Sequence, residues 1–107
     1  MTDLPLASTP TCTGVFAILT AKPGVEREQI MAMMPDEVRA TVKLYLGGKL
    51  REWHSRDDGR GAVFLLNATS VDEAHAIMDG LPLGKADLVD HMYIAVRPLQ
   101  PLGLLLM

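Results

Sequence analysis

Lys49-Leu-Arg-Glu-Trp-His-Ser55, Arg56-Asp-Asp-Gly-Arg-Gly61 and Ala62-Val-Phe-Leu-Leu-Asn67 follow one another without a break, and Ser70-Val-Asp-Glu73 comes three residues later. The first segment alternates and is polar, the second is a turn sequence, and the third is apolar. Together they predict a β-hairpin, a polar strand beside a buried one. Ser70 and Glu73 form a capping box, with the serine at the N-cap and the glutamate reaching back. Ala74, Ile77, Met78 and Leu81 then fall on one helical face, so a helix starts near Val71 and stops at Gly80-Leu-Pro82. A hairpin running straight into a helix is the middle of an α+β unit, and the rest of the chain must supply its ends.

On the N-terminal side, Gly14 opens the apolar run Val15-Phe-Ala-Ile-Leu-Thr20, stopped by Lys22-Pro-Gly24. So short a run suits a strand buried on both faces. Ile30, Met34, Val38, Val42 and Leu46 then recur at every fourth residue, a helical pattern closed by Gly47-Gly48. Pro35 followed by Asp36 and Glu37 has the composition of a first helical turn, which predicts a kink or two helical segments meeting near Met34-Pro35. On the C-terminal side, a loop through Lys85 and Asp87 leads to an alternating strand from Leu88 to Pro98. The order βαββαβ is a ferredoxin-like α+β unit with a four-stranded antiparallel sheet. Two helices cover one face of such a sheet and leave the other bare. The bare face predicts that two subunits pair into a dimeric α+β barrel whose interior, rather than the helix side, holds the pocket. Residues 1–13 read as an irregular arm, 14–99 as the domain, and 100–107 as an apolar tail at a subunit interface.

The chain has 107 residues, enough for one domain with a thin core. Apolar residues make up 49% and charged residues 21%, which excludes a disordered chain. That apolar load, with Leu102-Gly-Leu-Leu-Leu-Met107 at the end, predicts self-association into a homodimer or larger homo-oligomer. Ten basic against thirteen acidic side chains give a net charge of −3. With no basic run interleaved with aromatics, nucleic acid is not an expected partner. Cys12 is the single cysteine, so no intrachain disulfide forms. No Lys or Arg precedes Lys22, and Val15 to Leu19 is too short to span a bilayer. The expectation is a cytoplasmic protein with no membrane partner.

The segment from Gly48 to Leu83 resembles the muconolactone Δ-isomerase family in the order and spacing of its parts. Those are Gly48, Arg51, Ser70, Asp72, Glu73, His75 and Gly80-Leu-Pro-Leu83, with Met92, Ile94, Val96 and Pro98-Leu99 following and Asp36-Glu37 in step on the first helix. The resemblance covers about residues 15–99. It departs in two places: Gly84 to His91 is a longer link than the family's, and Glu52 and His54 stand where histidine and tryptophan are expected. It implies a small dimeric enzyme of aromatic catabolism that shifts a double bond in a carboxylated lactone, with no metal or organic cofactor.

A reaction of that kind needs a base, a re-protonating acid, a group to stabilise an enolate, and a cation for the substrate carboxylate. In the last strand, Met92, Ile94 and Val96 alternate with His91, Tyr93, Ala95 and Arg97. With the first set facing the helices, the second faces the barrel. His91 is then an acid or base, Tyr93 a donor to the enolate oxygen, and Arg97 an anion anchor. In the second strand, parity puts Leu50, Glu52 and His54 on one face and Arg51, Trp53 and Ser55 on the other. Either Glu52 and His54 work as a base with its orienting partner, or Trp53 is the pocket wall with Arg51 as carboxylate clamp. An ordinary structural account competes at each position: His91 as a strand-entry residue, Arg97 as a solvated charge, the second strand as an exposed edge with Trp53 tucked under a helix or a neighbouring subunit. His75 and Asp79, four apart, read as a surface pair on the second helix. The three histidines lack ligand spacing, so no metal site is expected.

The first function class is therefore a cofactor-independent isomerase acting in a pocket between two subunits. The second is a small cofactor-free oxygenase or haem-handling protein of the same fold. The third is a non-catalytic binding or assembly module, favoured if Phe16, Ile18 and Phe64 fill the barrel interior.

Overall fold

The computed structural model describes residues 12–98, which hold one sheet and three helices. The elements in chain order are β1 (Gly14–Ala21), α1 (Arg27–Leu46), β2 (Leu50–Ser55), β3 (Gly61–Leu66), α2 (Val71–Asp79), α3 (Pro82–Lys85) and β4 (Val89–Val96). The sheet order is β2-β3-β1-β4 and every pairing is antiparallel. This is the expected ferredoxin-like α+β arrangement. The expected arm through Thr11 and the tail from Leu99 lie outside the described residues. Among those described, no helix is long and apolar enough to cross a membrane.

Register fixes which side chains share a face. Val15, Ala17 and Leu19 of β1 lie opposite Leu66, Phe64 and Ala62 of β3. This set points under the helices, and Val15, Ala17, Phe64 and Leu66 are all buried. Phe16, Ile18, Val63 and Leu65 occupy the opposite face and are only half-buried, so β1 is not covered on both sides as its apolar run predicts. It is central within the sheet, and its apolar second face belongs to a surface the helices leave open. Phe64 belongs to the helix-side core, apart from Phe16 and Ile18, so the three do not fill one interior.

α1 runs unbroken through Pro35, which sits inside the helix rather than at a boundary between two segments. Its true start is marked by Gln29, whose side chain accepts from the Glu26 backbone N–H at 2.8 Å. The four-residue pattern does not describe one buried face either. Each step of four turns about 40° past a full rotation, so Ile30 to Leu46 drifts through about 160°. Ile30 and Met34 pack on the core, whereas Val38, Val42 and Leu46 are exposed. The buried side is completed by Ala40, Leu44, Glu37 and Thr41.

α2 starts as predicted: Ser70 Oγ accepts from Glu73 N–H at 3.1 Å, while Glu73 Oε1 accepts from Thr69 N–H at 2.6 Å. Ala74 and Met78 are fully buried beneath it. Where a loop is expected, Pro82 instead opens the single turn α3, its fixed φ suiting a first helical position. Glu37 Oε1 accepts the Leu83 N–H at 2.9 Å and thereby ties α1 to α3. Gly84 permits the close fit of α3 on α2, since a Cβ there would meet the Met78 carbonyl.

Candidate functional site

α2 packs on β4 and β1, and between α2, α3 and the start of β4 lies a cleft of about 430 Å³. Lys22, His75, Asp79, Gly84, Asp87, Val89, Asp90, His91 and Tyr93 line it. Helical spacing brings His75 one turn from Asp79, and His75 Nδ1 lies 2.7 Å from Asp79 Oδ2. A proton on Nδ1 donated to that carboxylate leaves Nε2 with its lone pair free, the arrangement of a histidine base with an orienting acid. Strand alternation places His91 and Tyr93 side by side under α2, their rings stacked at 5.9 Å with 17° between planes. The His75 ring lies 5.5 Å from the Tyr93 ring.

His91 Nε2 and the Tyr93 hydroxyl are both shut off from solvent and have no hydrogen-bond partner among the described residues. Each unsatisfied polar group of this kind costs about 1–3 kcal/mol, which sets this wall apart from a surface that merely folds. Burial holds His91 below the usual histidine value; Asp79 and Asp90 oppose the shift and His75 adds to it. Burial pushes Tyr93 up to about 12, reinforced by the Asp79 charge. At neutral pH the wall is thus an uncharged imidazole beside a protonated phenol.

The rim is built around Asp87, which adopts φ 59, a left-handed conformation that aspartate tolerates. Its Oδ1 accepts from Lys22 Nζ at 2.6 Å. That contact, with the Asp87 and Asp90 charges, raises Lys22 above the ordinary lysine value.

β4 reverses the expected orientation. Val89, His91, Tyr93 and Ala95 pair with Ala21, Leu19, Ala17 and Val15, so they face the helices. Met92 and Ile94 face outward, 59% and 47% exposed. His91 and Tyr93 therefore do not look into a barrel but into the helix-side cleft, and the pocket lies on the side that the bare-face argument passes over. Arg97 is exposed just beyond β4 and does not line the cleft.

β2 breaks its own parity. The register shifts between Leu50 and Glu52, leaving Arg51 as the extra residue of a bulge. Leu50 opposite Leu66 and Trp53 opposite Phe64 turn to the helix side, while Glu52 and His54 sit opposite Leu65 and Val63 on the open face. Trp53 packs edge-on against Tyr45 of α1 at 5.1 Å. His54 Nε2 lies 3.2 Å from Glu52 Oε1, both exposed. Arg51 lies over Gly14, where only a missing Cβ leaves room, and donates to the Thr13 carbonyl at 2.5 Å. The structure thus divides the sequence candidates: Arg51, Glu52 and His54 are near the open face, Trp53 is against α1, and His91 and Tyr93 are in the cleft.

What the sequence reading missed is that the His75–Asp79 pair faces Tyr93. The pair itself was legible as an i,i+4 spacing; the cleft was not, because β4 parity was assigned the other way. A larger apolar groove along α1, lined by Met31, Met34, Pro35, Val38, Arg39, Val42 and Lys43, carries no acid–base pair. No cluster of three or more metal-ligating side chains occurs among the described residues.

No family model and no curated protein matches the chain. Among solved structures, 5-chloro-2-hydroxyhydroquinone dehydrochlorinase (TftG) from Burkholderia phenoliruptrix AC1100, in complex with 2,5-dihydroxybenzoquinone, is similar to it. The match has a TM-score of 0.57 and 18% identity, and it covers 78% of this chain and 93% of that one. At that identity the likeness is one of fold, the ferredoxin-like α+β unit described above.

Proposed function

We propose that the chain is a cofactor-independent enzyme that moves a proton on a small lactone, enol or hydroxylated ring, with the helix-side cleft as its active site. The single observation behind this reading is that a paired His75–Asp79 lines the same cleft as Tyr93 and His91, whose hydroxyl and Nε2 are buried without a partner among the described residues. The reaction class is the one implied by the resemblance to muconolactone Δ-isomerase. It also agrees with the fold of a dehydrochlorinase named for a hydroxylated ring substrate.

In this mechanism His75 Nε2 takes a proton from the carbon beside a substrate carbonyl. The C–H electron pair moves into a new C=C bond and the carbonyl π pair onto oxygen. Asp79 stabilises the imidazolium, and the Tyr93 hydroxyl, protonated at neutral pH and uncovered as the substrate seats, donates to the enolate oxygen. The imidazolium returns the proton at the far end of the conjugated system, so the bond shifts and no proton is gained or lost. His91, uncharged, contributes a second hydrogen-bonding group. The chemistry calls for neither metal nor organic cofactor.

We also propose that two copies pair through the open sheet face, where Met92 and Ile94 are exposed beside Phe16, Ile18, Val63 and Leu65, and that the enzyme works in the cytoplasm. The Glu52–His54 contact near Arg51 favours a second reading, in which that pair and its clamp do the chemistry inside the barrel. An oxygenase or haem-handling role and a non-catalytic module are the remaining alternatives. Proton exchange in deuterated water on simple uncharged enolisable lactones tests the first reading. Wild-type protein is expected to exchange substrate C–H, and His75→Ala to lose that ability. Unchanged exchange in His75→Ala would overturn the cleft assignment.

A further inference from the structure

The carboxylate implied by a muconolactone-type substrate needs a cation, and the cleft has little to offer. Its lining holds three aspartates, Asp79, Asp87 and Asp90, against a single lysine. Lys22 is engaged at 2.6 Å by Asp87, and Asp79 is engaged by His75. Asp90 has no ion-pair partner among the described residues. Arg97 does not line the cleft, and Arg51 lies over Gly14 and donates to the Thr13 carbonyl. An entering anion would meet an excess of negative charge at the rim, and like charges repel.

The inner wall has the opposite character. It consists of the stacked His91 and Tyr93 rings with the His75 ring beside them, and its buried polar atoms are a lone imidazole nitrogen and a phenol hydroxyl. Flat aromatic surface and hydrogen-bonding groups without charge suit a planar ligand carrying hydroxyl or carbonyl oxygens.

Resting on the assignment of the cleft as the active site, we infer that it is charge-selective: it takes an electroneutral planar hydroxy or keto compound and turns carboxylates away, with Asp87 as the specificity-determining residue. Asp87 acts twice, by adding negative charge to the rim and by occupying Lys22, the one side chain that would otherwise clamp an anion. The left-handed backbone at Asp87 and its N–H bond to the Gly84 carbonyl at 3.1 Å hold that carboxylate on the rim.

Hydroquinone and 4-hydroxybenzoate form the test pair. They share a ring and a para hydroxyl, and at pH 7 only the second is charged. Binding to the full chain is read from the ring signals of its three histidines, with His54 on the opposite sheet face as the internal control. Hydroquinone under anaerobic conditions is expected to move His75 and His91, leave His54 in place, and half-saturate at a concentration at least about tenfold below that of 4-hydroxybenzoate. The variant Asp87→Asn is expected to narrow that ratio at least about threefold. Asparagine tolerates the backbone at 87, and the change frees Lys22. Equal or tighter binding of 4-hydroxybenzoate through His75 and His91 overturns charge selection and leaves the cleft assignment standing. A ratio unchanged in Asp87→Asn overturns the role given to that aspartate. If neither ligand moves His75 or His91, both the inference and the cleft assignment fall.

Discussion

The two faces of β4 invert the ordinary alternation of a half-covered strand. On the covered face sit His91 and Tyr93, with polar atoms buried and unpaired; on the open face sit Met92 and Ile94, apolar and exposed. A monomer selected only for stability would hold the reverse, since each buried orphan and each exposed aliphatic forgoes stabilisation. Two different demands explain the inversion. The inward polar residues suit a small molecule, and the outward apolar ones suit a protein surface. α1 repeats the pattern with Glu37 and Thr41 inside and Val38, Val42 and Leu46 outside, but there Glu37 already has a partner in the Leu83 N–H. The unsatisfied polar atoms of the cleft are what mark it as the candidate site.

The sharpest way to break this contrast is to remove one histidine from each face. His75→Ala is expected to lower substrate proton exchange by about 10²-fold or more, the scale of a lost acid–base group, while His54→Ala changes it less than about threefold. The reverse outcome moves the chemistry to Glu52 and His54 on the open face. The next effect concerns assembly. Ile94→Asp puts a charge on the open face at the edge strand β4 and is expected to weaken self-association at least about tenfold, seen as a monomer by light scattering at concentrations where the wild type is paired. Identical masses for both proteins would show that this face has another use.

The hairpin, the capping box at Ser70 and the element order were legible because each depends on local chemistry: turn residues, a serine hydroxyl, alternation of apolar side chains. What failed was orientation. β2 parity is reset by the bulge at Arg51, which no residue type announces. In β4 both alternate sets contain groups able to lie on either side, so the usual rule turns apolar Met92 and Ile94 inward. The site inherits that error, since His91 and Tyr93 were recognised as chemically capable but were joined to the wrong neighbours. His75 was visible as Asp79's partner, yet only the tertiary packing of α2 on β4 shows that the pair faces Tyr93.

A smaller effect tests whether the buried polar wall is a cost accepted for binding. Tyr93→Phe deletes a hydroxyl that has no partner among the described residues and keeps the ring that packs beside His75 and His91. It is expected to raise unfolding stability by about 1 kcal/mol in a urea titration while weakening hydroquinone binding. A loss of stability of that size would mean the hydroxyl is satisfied in solution, and the contrast between the two faces would lose its strongest support.

The smallest expected effect probes the one buried acid that the covered face does satisfy. Burial holds the Glu37 carboxyl above the usual glutamate range, with the Leu83 N–H opposing the shift. An acid whose folded pKa is raised binds its proton more tightly in the native state. Stability therefore falls as pH rises from about 4.5, where the unfolded chain ionises, through the raised folded value; below 4.5 the group is protonated in both states and the penalty vanishes. Glu37→Gln keeps an oxygen for the Leu83 N–H and carries no charge, so at pH 7 it is expected to be at least as stable as wild type, with the difference shrinking toward pH 4.5. Glu52→Gln, exposed on the open face, serves as the control and should stay within about 0.5 kcal/mol at every pH. Urea titrations at pH 7 and pH 5 decide the matter. If Glu37→Gln is the less stable protein at pH 7, the negative charge itself holds α3 in place, and the wall of the cleft that contains Gly84 depends on an ionised carboxylate rather than on a neutral hydrogen bond.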